Sequence, residues 1–99
     1  MKDLSKYAGI IPAFYACYDE KGDISPKAVR ELTQYYIDKG VKGLYVGGSS
    51  GECIYQTVPE RKLLLENVMA VAKGKLTVIA HVACNGTRES MELAAHAES

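Results

Sequence analysis

Gly43-Leu44-Tyr45-Val46-Gly47-Gly48-Ser49-Ser50-Gly51-Glu52 is the stretch on which the reading of this chain turns. Its first part, Leu44, Tyr45 and Val46, is a short apolar run bounded by glycine, the pattern of a buried strand. Its second part sets three glycines around two adjacent hydroxyls. Gly47, Gly48 and Gly51 lift the steric limit that Cβ places on the backbone, so the chain can turn sharply and present N–H groups to a small anion. Ser49 and Ser50 add hydroxyl donors at the same place. Two plainer readings stand beside this one. The cluster can be only a loop, or it can be a nucleotide phosphate cradle. The cradle fits poorly, because no Lys-Ser or Lys-Thr pair follows the glycines at P-loop spacing.

Outward from this stretch the chain alternates between strand and helix. Before it, Ser25-Pro26 opens a helix, with serine as N-cap and proline where its missing N–H costs nothing. Val29, Leu32 and Tyr36 recur at helical spacing, broadened by Ala28, Tyr35 and Ile37, and Gly40 ends the helix. After it, Thr57-Val58-Pro59-Glu60 has capping-box spacing and opens a second helix. Leu64, Val68, Val71 and Ala72 form its apolar face, and Gly74 terminates it. A third helix starts near Thr87 and carries Met91, Leu93, Ala94 and Ala95. Strands are expected at residues 7–15, 43–47 and 76–82, with Pro12 marking an edge or an irregular spot in the first. This order predicts βαβ crossovers and a parallel sheet. All three strands read as continuous apolar runs, as helix-covered parallel strands do.

Composition excludes several classes. The 99 residues are 47% hydrophobic and 24% charged, and 12 Lys plus Arg balance 12 Asp plus Glu. No nucleic-acid or acidic-membrane partner is implied by that balance. No apolar run approaches the ~20 residues that span a bilayer, and Met1 to Lys6 lack the core of a signal peptide, so a cytoplasmic protein is expected. Cys17, Cys53 and Cys84 match no zinc spacing and read as free packing thiols. Cys53 and Cys84 both fall just beyond expected strand ends.

The Gly-Ser stretch at 43–52, the Glu60-Arg61 pair and Ile79-Ala80-His81-Val82 together resemble the pyruvate-dependent class I aldolases, the family of N-acetylneuraminate lyase and dihydrodipicolinate synthase. The resemblance runs from about Gly9 to Ser99. Tyr55-Gln56 and Ile79 to Val82 point to the lyase branch, because synthases usually carry a glycine-rich stretch after the third strand. The implied fold class is α/β: the first three βα units of a (β/α)8 TIM barrel, spanning residues 1–99 and incomplete. A whole barrel takes about 250 residues, so an N-terminal fragment of a longer enzyme is expected. The alternative is a self-contained three-unit domain, stable only in association with another copy.

The resemblance implies cleavage of sialic acid to N-acetylmannosamine and pyruvate through a lysine Schiff base. In a barrel that lysine lies at the C-terminal end of a strand. Lys42 and Lys75 precede strands, Lys21, Lys27, Lys39, Lys62 and Lys73 belong to loops or helices, and Lys2 and Lys6 precede the first strand. The family takes its lysine from the sixth strand and its proton-shuttling tyrosine from the region of the fifth, both beyond Ser99. The chain alone is therefore expected to be inactive. What it would hold is the keto-acid carboxylate site: Ser49 and Ser50 at the paired hydroxyl positions, with the N–H of Gly51. Ser49 would also meet the family tyrosine, and Ser50 stands where threonine is common. Glu52 is read as tying the loop down, His81 as a satisfied core histidine and His96 as solvated. Ala16-Cys17-Tyr18 replaces the family's Thr-Pro-Phe run, which leaves the turn after the first strand open. No metal or organic cofactor is implied, and the full enzyme is expected to be a homotetramer. Two other functions remain: dihydrodipicolinate synthase, and a non-catalytic anion-binding or assembly module.

Overall fold

β1 (Gly43–Val46) and β2 (Thr77–Ala80) run parallel in register, Gly43 opposite Thr77 and Val46 opposite Ala80, in a computed structural model that describes residues 4–99. The stretch 10–14 lies along the other side of β1. There the amide of Tyr45 donates to the Pro12 carbonyl at 2.9 Å and that of Phe14 to the Tyr45 carbonyl at 2.8 Å. These two bonds make a single parallel bridge, Ala13 to Tyr45. The strand expected at 7–15 is not formed. Ser5–Tyr7 is a 3₁₀ turn, and the ladder breaks at Pro12. The next bond would need an N–H at residue 12, which proline lacks. Below that point Lys42 N–H bonds to the Ile10 carbonyl at 2.9 Å, a register shifted by one residue.

Three helices follow the expected order: α1 (Pro26–Asp38), α2 (Val58–Ala72) and α3 (Thr87–Glu98). Ser25 Oγ accepts from Ala28 N–H at 3.2 Å. The capping box of α2 closes in both directions, Glu60 N–H to Thr57 Oγ1 at 3.2 Å and Thr57 N–H to Glu60 Oε1 at 2.8 Å. Each such cap contributes about 1 kcal/mol. The turn after the first stretch, left open by the sequence, is closed by an antiparallel bridge between Tyr18 and Ile24, and Ser25 N–H bonds to the Cys17 carbonyl at 2.7 Å.

The core lies between the sheet and the helices. Phe14, Leu44 and Val46 project from the sheet onto Val29 of α1 and Leu64, Val68 and Ala72 of α2, and all are buried. Alternation along β1 sends Tyr45 to the opposite face, where it and Ile79 stay half-buried. The helix faces differ in detail from the periodicity. Thr33 is fully buried, its hydroxyl donating to the Val29 carbonyl at 2.8 Å, whereas Tyr35 points outward. On α3 only Leu93 is buried, and Met91 is 66% exposed. That helix packs chiefly on α2, through Lys62–Glu92 at 2.9 Å and Glu66–His96 at 2.8 Å.

Two predictions follow from this packing. A Cβ on Gly43 would stand 2.2 Å from the Thr77 carbonyl oxygen, and backbone on a paired strand has nowhere to move. Gly43→Ala is expected to cost about 3 kcal/mol or more, read as a shift in the urea midpoint. Burial raises the Cys17 thiol above its ordinary 9.0. Burial, then Tyr15, Tyr35 and Cys17, raise the Tyr36 phenol above 10.0. Both groups favour the fold while protonated, so this stabilisation is present below those values and is lost as pH rises through the raised ones. Stability should fall from about pH 9 upward, and Cys17→Ala combined with Tyr36→Phe should flatten the fall.

Candidate functional site

At the C-terminal end of β1 the backbone leaves the sheet through Gly47, at φ 82. A Cβ there would also press on the His81 carbonyl at 3.3 Å, so glycine is the residue the turn accepts. The chain then forms a 3₁₀ turn over Ser49–Gly51 and another over Cys53–Tyr55. Glu52 joins them in the left-handed region, φ 60 and ψ 35. This conformation costs a non-glycine residue about 1–2 kcal/mol. The Gly48 carbonyl accepts from Gly51 N–H at 3.0 Å and from Cys53 N–H at 3.3 Å.

The result is a tight loop with two hydroxyls on its outside. Ser49 and Ser50 are both exposed, and among the described residues neither hydroxyl has a partner within the protein. Gly51, by contrast, is buried and its N–H is engaged inside the turn. Ser49 lines a cavity of about 450 Å3 together with Cys53, Ile54, Arg61, His81 and Cys84. Neither Ser50 nor Gly51 lines it, and among the described residues no lysine does. A second cavity of similar size, about 460 Å3, lies at the opposite end of the strands beside Lys39, Lys42 and Lys75. The first is the better candidate, because ligands of parallel α/β folds collect at the carboxyl ends of strands, where the free hydroxyls stand.

Under the loop lies Arg61, on the first turns of α2 and only 6% exposed. Its Nη1 donates to the Ala83 carbonyl at 2.8 Å and to Cys84 Sγ at 2.9 Å. Its Nη2 donates to the His81 carbonyl at 3.0 Å and lies 3.5 Å from the Gly47 carbonyl and 3.3 Å from His81 Nδ1. Nε has no partner among the described residues. Gln56 holds the loop from the other side, Nε2 donating to the Gly51 carbonyl at 2.8 Å and to Tyr18 Oη at 3.2 Å.

Several expectations are corrected here. Glu52 does not tie the loop down. Its carboxylate accepts no hydrogen bond among the described residues and it is exposed, so Gln56 and Arg61 do that work. His81 is half-buried at the cavity wall, with its ring 5.8 Å from that of Tyr45. His96 is not solvated. It bonds Glu66 through Nε2 at 2.8 Å, and its Nδ1 is buried without a partner among the described residues. The expectation of free thiols holds for Cys17, Cys53 and Cys84. Arg61 was singled out only as part of a motif, although a signal for its burial was present. It precedes Leu64 by three residues and Val68 by seven, so it sits inside the apolar stripe of α2.

The Dihydrodipicolinate synthetase family model matches residues 6–99. The chain belongs to that family. Among relatives in the dihydrodipicolinate synthetase family, the N-acetylneuraminate lyase of Mediterraneibacter gnavus is 69% identical over 98 residues, covering 99% of this chain and 31% of the relative. An Escherichia coli N-acetylneuraminate lyase is 43% identical over 90 residues, covering 91% of this chain and 30% of that enzyme. The solved structure of a Ruminococcus gnavus sialic acid aldolase catalytic lysine mutant superposes with a TM-score of 0.98 at 69% identity. The match covers 99% of this chain and 32% of that one. The chain thus spans about a third of the length of the relatives it matches. Its parallel strands, open sheet and one-sided helix layer are a partial (β/α)8 barrel of the dihydrodipicolinate synthetase family.

Proposed function

We propose that this chain is the N-terminal part of an N-acetylneuraminate lyase, a Schiff-base aldolase that cleaves sialic acid to N-acetylmannosamine and pyruvate, and that its contribution is the grip on the pyruvate carboxylate. The observation that carries the proposal is the pair of exposed hydroxyls on Ser49 and Ser50 at the strand end, neither with a partner among the described residues. Two hydroxyls one residue apart converge on the two oxygens of a carboxylate. The Gly51 N–H, expected as a third donor, is buried and taken by the Gly48 carbonyl at 3.0 Å, so it steadies the turn that carries the two hydroxyls. Held by its carboxylate, the keto acid presents its carbonyl carbon to a lysine amine, which forms the Schiff base. That lysine lies outside this chain. Among the described residues no lysine lines the cavity, whereas the R. gnavus sialic acid aldolase has a catalytic lysine. The 69% identity to a lyase supports sialic acid as substrate.

The synthase reading uses the same carboxylate grip and differs only in the second substrate, which the grip does not contact. Turnover separates the two: the full-length parent given sialic acid, or pyruvate with an aspartate-derived aldehyde. The proposal also includes a cytoplasmic homotetramer, in line with the family resemblance, which light scattering on the parent tests.

Borohydride with pyruvate should trap a covalent adduct on the parent and none on this chain alone. An adduct on the isolated chain would overturn the assignment of the nucleophile to other polypeptide. In the parent, Ser49→Ala with Ser50→Ala should raise the pyruvate KM about tenfold or more, since each hydrogen bond to a charged group contributes about 1.5–3 kcal/mol. An unchanged KM would remove the serines from the site.

A further inference from the structure

We propose that Arg61 is a positioning residue for the carboxylate site, fixing the Gly47–Ser50 loop against the His81–Cys84 loop. The inference rests on reading Ser49 and Ser50 as the carboxylate grip. Hydrogen bonding between β1 and β2 reaches its last backbone contact where His81 N–H meets the Val46 carbonyl at 2.8 Å. Beyond it no ladder bond holds the two chains together, and there the Arg61 guanidinium takes over. It donates to the carbonyls of His81 and Ala83 on one chain and lies 3.5 Å from that of Gly47 on the other.

Packing alone does not call for this residue. Its position in the stripe of α2 would accept leucine or methionine, and a charge 6% exposed is costly to desolvate. Among the described residues Arg61 has no carboxylate partner. Its N–H groups are given to backbone carbonyls and to Cys84 instead. Several donors in a rigid plane can serve several carbonyls at once, which a lysine ammonium cannot do at these spacings. With its η hydrogens committed to the loops, Arg61 acts on substrate through Ser49, with which it shares the cavity wall.

The carboxylate grip is equal in the ground and transition states, so loss of the clamp should appear in KM and spare kcat. The test uses Arg61→Met and Arg61→Lys in the full-length enzyme. It reads pyruvate KM and kcat in the condensation direction, and amide hydrogen exchange without substrate. Arg61→Met should raise KM about tenfold or more with kcat within about threefold. It should also speed exchange in Gly47–Glu52 and His81–Asn85, leaving α1 unchanged. Arg61→Lys should recover part of both effects. Unchanged KM with unchanged loop exchange overturns the proposal, as does a fall in kcat alone. Global unfolding of both variants also overturns it, since Arg61 would then serve overall stability. If the unaltered enzyme binds no pyruvate, the carboxylate reading fails instead, and loop exchange still decides for or against the clamp.

Discussion

The arrangement depends on β1 being held from both sides. Its amide and carbonyl at Tyr45 are taken by the stretch around Pro12 and Phe14, and its other edge pairs with β2 along four residues. Only the centre of a parallel sheet is constrained in this way, and the constraint fixes which residues face the helices. Leu44 and Val46 are driven into the core, each stabilising the fold by about 1.5–3 kcal/mol. A net backbone hydrogen bond is worth about 1 kcal/mol. Burial therefore outweighs the ladder in setting the register, and a slip of one residue would expose both side chains. The serine loop inherits its place from this choice, since it begins where the buried alternation stops.

Past the end of β1 the forces change character. Apolar side chains give way to carbonyls that need donors, and the loop is secured by a guanidinium and an amide, Arg61 and Gln56. Among the described residues this buried cation is met by carbonyl dipoles and not by a carboxylate, and the carboxylate that does line the cavity, the exposed Glu89, forms no ion pair with it.

The sequence was most legible where structure is local. Ser25-Pro26, the Thr57–Glu60 box and the glycine exit from β1 each depend on neighbours within a few residues, and each is found where expected. Residues 7–15 misled because their apolar run was real and Phe14 is indeed core, but a strand also needs donors, and Pro12 supplies none. Thr33 and Arg61 escaped for a shared reason. Each occupies a buried stripe position with a polar side chain whose partners are carbonyls, one within the same helix and the others distant in sequence. Periodicity reports which positions are buried and is silent about what a polar residue finds there. Glu52 was misread through its side chain, when its backbone is the part that matters.

The open side of the sheet explains why binding and chemistry separate along the chain. β2 has β1 as its one partner, and its residues Thr77 to Ala80 are all half-buried, whereas Leu44 and Val46 at the centre are closed off. In a barrel every strand end contributes to one shared site, so each βα unit can hold its own functional group and none can hold the whole constellation. An anion grip suits a single unit: hydroxyls on consecutive residues of one tight turn need no other strand to set their spacing. A Schiff-base nucleophile is different, because its amine must reach a carbonyl carbon whose position is set by the grip, across the barrel axis from a different strand. Under the proposed reading, Ser49 and Ser50 would orient the keto acid from one turn, and the attacking lysine would come from another βα unit.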